Sequence, residues 1–250
     1  MKKNLFTLLL LAMALYTQAQ TTTTKKKSSL LDKINKEVKN ISGGSSTGLS
    51  NDDIIAGLKE ALTVGATNSS GKLSAADGFF KDAVVKVLMP PEAQKVEKTL
   101  RSAGLGKLVD DAILSVNRAA EDASKSAAPI FVNAIKKMSF QDALNILKGT
   151  DTAATSYLKK TTNADLTAAF KPVIEASLQK TDATKHWKAV FEKYNSLPTT
   201  FKKVNTDLTG YVTQKALDGL FYYVADEEKK IRKDTAARAS DLLKKVFGSK

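Results

Sequence analysis

The chain has 250 residues, 42% of them hydrophobic and 26% charged, with a formal net charge of +13, which suits one globular domain, or at most two, with a buried core. It has no cysteine, which excludes disulfides, a thiolate metal site, a nucleophilic thiol and a lipidated cysteine. One histidine and five prolines exclude a histidine metal cluster and a proline-rich scaffold, and leave His186 as the sole route to a Ser-His-Asp triad.

Lys2 and Lys3 precede an apolar run from Leu5 to Leu15, and Thr17-Gln18-Ala19 puts small residues where a signal peptidase cuts. This predicts a signal peptide over residues 1–19, cleaved after Ala19, and a mature protein in the periplasm or outside the cell. The run is too short for a bilayer span and no later stretch reaches about 18 apolar residues, so no transmembrane helix is expected. No cysteine follows the cut, so the protein is not expected to be a lipoprotein. The positive excess lies mostly in residues 1–48 and 181–250. Between them lysines alternate with Asp and Glu, as on solvated helix faces and unlike a phosphate-tracking stripe, so nucleic-acid binding is not expected. Basic ends would draw an exported protein towards anionic lipid or cell-wall polymer.

Residues 20–48 form a leader. Gln20 to Ser29 has no apolar residue to offset the entropy of ordering. Leu30, Leu31, Ile34, Val38 and Ile41 then recur at helical spacing, which predicts an amphipathic helix over 30–41 ahead of the Gly/Ser linker at 42–48. Residues 49–248 read as a single all-α domain of about nine or ten helices, in a topology that the sequence does not specify.

Within that domain, Ser50-Asn51-Asp52-Asp53 and Ser139-Phe140-Gln141-Asp142 resemble capping boxes, and Gly149 stops the second helix. Residues 92–103 form another helix closed by Gly104, residues 105–128 a long one, and Pro129 suits the first turn of a helix running to about Met138. Helices near 151–161, 163–180, 182–196, 207–233 and 236–247 follow. Pro172 should kink or split its helix, and Pro198 should mark a corner. Val84-Val85-Lys86-Val87-Leu88 is the one β-like run, too short and solitary for a sheet without an unseen partner.

The segments Asn117-Arg118-Ala119-Ala120-Glu121, Met138 to Ala143 with Ile146-Leu147-Lys148-Gly149, Ala153-Ala154-Thr155-Ser156-Tyr157, and Tyr211-Val212-Thr213 through Ala216 to Phe221, Glu227-Glu228, Ile231-Arg232 and Val246-Phe247-Gly248 occur in one order. Together they resemble the bacterial family called domain of unknown function 4197, over roughly residues 49–248. The resemblance implies an exported helical protein and brings with it no activity, cofactor or catalytic residue.

On a wheel of 100° per residue, Leu105, Leu108, Val109, Ala112, Val116, Ala119, Ala120 and Ala123 form one stripe, and Asn117, Arg118 and Glu121 fall opposite. Spacings of three and four let these polar side chains meet. They make either a solvated face with a weak surface pair, or a groove or second helix layer where an Arg and a carboxylate orient a ligand. The small residues of the stripe favour a central position.

In the penultimate helix Leu217, Leu220, Phe221, Val224 and Ile231 form an apolar arc, and Glu228 falls inside it. A carboxylate there needs a partner. Arg232 can reach along the helix, and Arg118, Arg101 and Arg238 are the long-range candidates. Glu228 reads first as a structural salt bridge and second as a ligand-binding or catalytic carboxylate. Asp218, Tyr211, Tyr222 and Lys229 share the other side with Gly219, a face suited to packing or to a carbohydrate or peptide surface. Asp142 reads as a cap. His186 beside Trp187 lacks a second histidine and reads as structural. Phe79, Phe80, Phe131, Phe140, Phe170, Phe191, Phe201 and Phe221 are scattered as core filling requires.

No nucleotide-binding glycine motif, zinc-protease motif, nucleophile elbow, EF-hand loop or repeat is present. No metal and no cofactor are expected. The first functional reading is a non-catalytic binder of an apolar or amphipathic ligand or of an envelope partner. The alternatives are a hydrolase or lyase using Glu228 or Glu121 with Arg118 orienting an anionic substrate, and a peripheral protein held at anionic membranes by its basic ends.

Overall fold

In the structure, a computed structural model, residues 50–180, 184, 187, 188, 195, 207–234 and 244 are described. The signal peptide, the leader with its helix at 30–41, Pro198, His186, Arg238, Phe191, Phe201, the helix expected at 236–247 and most of that at 182–196 lie outside them. Apart from residues 75–90 and the short junctions between elements, the described residues are helical, with no strand among them.

Helix α1, Asn51–Ser74, starts at a reciprocal cap: Ser50 Oγ accepts from the Asp53 N–H at 3.1 Å, and Asp53 Oδ2 accepts from the Ser50 N–H at 3.0 Å. Its small residues allow a close approach to the penultimate helix, since a Cβ on Gly65 would lie 3.3 Å from that of Glu227. Its buried hydroxyls are satisfied locally, Ser69 donating to the Gly65 carbonyl and Ser70 to that of Ala66.

The chain then runs without regular structure to a 3-10 turn, Pro91–Ala93, and helix α2, Gln94–Ser102. Gly104 takes φ +79°, the left-handed conformation that ends α2 without steric cost. Helix α3, Gly106–Ser124, stops short of residue 128 and is followed by α4, Ala127–Lys137, with Pro129 in its first turn. Helix α5, Phe140–Lys148, has the Ser139–Asp142 capping box.

Helix α6, Ala153–Lys180, replaces the two helices expected at 151–161 and 163–180. The polar run Thr161-Thr162-Asn163 reads as a break, but Thr161, Thr162 and Thr167 return their hydroxyls to the carbonyls four residues back and leave the helix intact. Pro172 does not split it either: Pro172 and Ala168, whose carbonyl loses its helical donor, both face solvent, where water replaces the bond. Ala154, Leu158, Thr162, Leu166, Phe170, Ile174 and Leu178 are buried at a four-residue spacing. Each such step advances about 40° around a helix of 3.6 residues per turn, so the apolar stripe winds round α6 and serves different neighbours along its length.

Helix α7, Leu208–Lys233, is capped by Asp207, which accepts from the Gly210 N–H. Helices α3, α6 and α7 pack on one another, with α4 and α5 against α6 and α2 against α3. Phe79, Phe131 and Phe170 are fully buried, and Phe131 meets Phe221 edge to face at 5.8 Å. Phe80 and Phe140 are half-buried.

The central position of α3 corrects the single-stripe reading. Leu105 and Leu108, placed on the buried stripe, are exposed, whereas Val109 of the same first turn is buried. From Ile113 onward burial covers both faces, taking in Asn117, Glu121 and Ser124.

Candidate functional site

Two buried polar centres and one groove are built on this frame. The first centre joins α7 to the junction of α5 and α6. Glu228 is buried on the inner arc of α7. Its Oε1 accepts from the Ala154 N–H at 3.0 Å and from Arg232 Nε and Nη2 at 3.0 and 2.8 Å. Its Oε2 accepts from the N–H and the hydroxyl of Thr155, both at 2.8 Å. Ala154 and Thr155 lie in the first turn of α6, whose N–H groups have no helical acceptor, so Glu228 acts as a cap supplied by a distant helix. Arg232 also donates Nη2 to the Ile146 carbonyl at 2.8 Å, near the end of α5. The anion thus meets a helix start and the cation a helix end, each complementary to the local dipole.

The second centre holds the irregular segment between α1 and α2. Arg118 Nη1 meets Glu121 Oε2 and its Nη2 meets Asp77 Oδ1, both at 2.6 Å. Glu121 Oε1 accepts from the N–H groups of Phe79 and Phe80 at 3.1 Å each. Asp77 takes φ +66°, a turn conformation that Asp tolerates better than most residues. Hydrogen bonds from Lys81 and Arg118 hold its carboxyl below the usual range, and the same two carboxylates raise the Arg118 guanidinium. Asn117 does not meet Glu121. Its Oδ1 accepts from the Val87 N–H and its Nδ2 donates to the Val87 carbonyl, both at 2.8 Å, with a further bond to the Ile113 carbonyl at 2.6 Å. The partner of the β-like run is a side-chain amide and not a strand.

Asp82 completes the fastening. Its Oδ1 accepts from the N–H groups of Val84 and Val85, and its Oδ2 bonds the Tyr223 hydroxyl and lies 3.5 Å from Lys72 Nζ. Burial pushes this carboxyl up, but the Tyr223 hydroxyl, the two N–H groups and Lys72 outweigh it and hold the group below its ordinary value. Burial and the bond to Asp82 raise the Tyr223 phenol.

Arg101 pairs with Glu97 and Asp110. The other long-range candidates for Glu228 are therefore engaged elsewhere or lie outside the described residues. Trp187 is buried and stacks on Tyr211 at 6.1 Å.

The fastened segment and α7 enclose a groove of about 450 Å³. Val84, Lys86, Leu88 and Met89 line one side; Tyr211, Lys215, Asp218 and Tyr222 line the other, with Gly219 at the floor. Val84, Leu88 and Tyr222 are 61%, 56% and 48% exposed. Asp218 accepts from Gln214 Nε2 at 2.9 Å and lies 3.9 Å from Lys215 Nζ. Tyr211, Lys215, Asp218 and Tyr222 follow at i, i+4, i+7 and i+11 on one face of α7. Lys229, grouped with that face, is exposed further along. Among the described residues no group of three or more acidic or imidazole side chains is placed to hold a metal. No described helix is long and apolar enough to cross a membrane.

A family model described as "Protein of unknown function (DUF4197)" matches residues 48–248. The chain belongs to the DUF4197 family. No curated protein and no solved structure matches it.

In this DUF4197 chain the segments that carry the resemblance include side chains of both polar centres: Asn117 to Glu121 in α3, and Ala154 and Thr155 with Glu228 and Arg232. Sequence reasoning missed Asp77, Asp82 and Tyr223, which lack a periodic signature because they lie in or against irregular chain. It also missed Val84, Leu88 and Met89 as groove residues. Their one available signal was an apolar run ending at Pro90-Pro91 that no helical or strand pattern absorbed.

Proposed function

We propose that this DUF4197 member is an exported, non-catalytic helical protein that binds an amphipathic ligand or an envelope partner in the groove between residues 84–91 and α7. One observation carries the reading: Val84 and Leu88, on a segment fixed by Asn117, Glu121 and Asp82, and Tyr222 of α7 are held out to solvent on the two sides of a groove of about 450 Å³. A rigidly presented apolar patch with a charged rim is a common mark of a binding surface.

The acid–base alternative has less support. A general acid or base needs an oxygen within reach of a substrate proton, whereas both oxygens of Glu228 and both of Glu121 already accept from protein donors. The signal peptide expected over 1–19 supports an envelope or extracellular location, and the basic ends would concentrate the protein near anionic surfaces.

Native mass spectrometry of protein purified from its own envelope, with lipid and metabolite extraction, tests the reading. A bound species is expected on the wild type and should be lost from a Leu88→Ser, Tyr222→Ser double variant. A wild type that is consistently empty, or a species retained by the double variant, would overturn it.

A further inference from the structure

Val87 is held along one edge. One carboxamide, that of Asn117, accepts from its N–H and donates to its carbonyl, both at 2.8 Å. A single side chain reaches both groups only where they point the same way, as in an extended strand. No peptide bond here is cis, so in each planar trans unit the carbonyl points opposite to the N–H. The Lys86 carbonyl therefore points away from Asn117, and so does the Leu88 N–H. Neither has a hydrogen-bond partner among the described residues. This edge faces α7, because the Leu88 carbonyl accepts from the Tyr211 hydroxyl at 2.8 Å. Burial alternates accordingly: Val85 and Val87 are buried, Lys86 is half-buried and Leu88 exposed.

An acceptor and a donor straddling one residue form the pattern with which a strand in a parallel pair binds a single residue of its neighbour. We infer that Lys86–Met89 is a docking edge at which the groove takes an extended peptide by strand addition; Lys86 and Leu88 share one face of the edge, so the peptide presents on that face an acidic side chain towards Lys86 and, two residues on, an apolar one against Leu88 and Tyr222. The inference rests on the groove reading above and specifies its occupant. Charge supports the choice. Lys86 lies 4.3 Å over the Phe80 ring and makes no ion pair among the described residues; among the residues lining the groove, it and Lys215 stand against the single carboxylate of Asp218, which leaves the rim net positive. A second copy of the mature chain would bring its own net positive charge against that rim, which favours a different, acidic partner. Strand addition draws affinity from main-chain bonds and specificity from alternate side chains.

A blocked hexapeptide Glu-Thr-Glu-Thr-Val-Thr, which carries its glutamates and valine on one face of an extended chain, and its backbone N-methylated forms, test this with the full mature protein. Hydrogen exchange at the Leu88 N–H should slow at least tenfold on adding the peptide. N-methylation at one alternate set of residues should weaken binding at least tenfold and at the other set much less. Replacing the glutamates by lysine, or Lys86→Glu in the protein, should weaken it severalfold. Equal binding of all N-methylated forms, equal binding of the lysine peptide, or an unchanged Leu88 N–H would overturn the inference. If an apolar amphiphile is still bound and is released by Leu88→Ser with Tyr222→Ser, only the peptide claim fails; if neither peptide nor amphiphile binds, the groove reading fails with it. Protection of Leu88 by concentration-dependent self-association without peptide would also overturn it, making a second copy the occupant.

Discussion

Thr155 donates its backbone N–H to Glu228 Oε2 at 2.8 Å across a separation of 73 residues. The bond places a carboxylate from the end of α7 at the start of α6, while Arg232, one turn on, reaches the Ile146 carbonyl near the end of α5. One ion pair thus fixes a helix–helix junction by supplying each side with the charge its exposed backbone groups favour. Glu228→Ala should destabilise the protein by about 3–5 kcal/mol, because it leaves the Arg232 guanidinium, 8% exposed, and two N–H groups without their anion. Glu228→Gln keeps one acceptor oxygen but turns an amide N–H₂ towards donors, and should cost about 1–3 kcal/mol. Urea unfolding followed by circular dichroism measures both; wild-type midpoints would show that the pair does not hold the junction.

Asn117 supplies the strand-like contact of Val87, so its removal should loosen residues 84–90 before it unfolds the core. Asn117→Ala leaves a buried N–H and carbonyl of Val87 unsatisfied and should cost about 1–3 kcal/mol. Asn117→Asp should be worse, since an oxygen replaces the Nδ2 that donates to the Val87 and Ile113 carbonyls. Limited proteolysis should cut first between α1 and α2 in both variants, with hydrogen exchange at Val87 accelerated. Cleavage in the wild-type pattern would separate Asn117 from the order of that segment.

What the sequence disclosed follows the range of the interactions. Glu228 inside an apolar arc and Arg232 four residues on were legible, because helical periodicity fixes both positions within one element. The capping boxes at Ser50 and Ser139 were legible for the same reason, as was the all-α class. The role of Asn117 was not: on a wheel it falls opposite the apolar stripe, and only a chain segment 30 residues away determines that this face is interior. The continuity of α6 was hidden because threonine suits both helix ends and helix interiors, and the bonds from Thr161 and Thr162 to the preceding turn decide between them. The groove was illegible for a further reason: its two sides are 120 or so residues apart, and one of them has no period.

Gly219 gives the groove its floor. A Cβ at that position would lie 2.8 Å from Phe79 Cε1 and 3.2 Å from Val85 Cβ, and Phe79 is fully buried with no room to yield. Gly219→Ala should therefore cost about 1–3 kcal/mol through overpacking, despite the higher helix propensity of alanine. It should also push residues 79–85 outward and reduce any binding in the groove. Calorimetric melting and hydrogen exchange at the Phe79 and Phe80 N–H groups check this; an alanine variant of raised stability would mean that the ring has space to move.

The Lys72–Asp82–Tyr223 cluster should give the segment between α1 and α2 opposite responses to acid and base. Asp82 is held below its ordinary value, so its contribution is full above the unfolded carboxylate value of about 3.9 and is lost as pH falls through the lower folded value. The Lys72 ammonium is raised: burial lowers it, but Tyr223 and Asp82 outweigh that. The Tyr223 phenol is raised by burial and by Asp82. Their contributions are full below the unfolded values, about 10 for both, and fade as pH climbs through the folded ones. Urea midpoints measured from acid to alkaline pH should therefore show a plateau with two falling limbs. Asp82→Asn should lower the plateau, and its difference from wild type should shrink on the acid side, where the wild-type carboxylate is itself neutralised. Parallel wild-type and Asp82→Asn profiles across the acid limb would show that this carboxylate does not link the segment to α7.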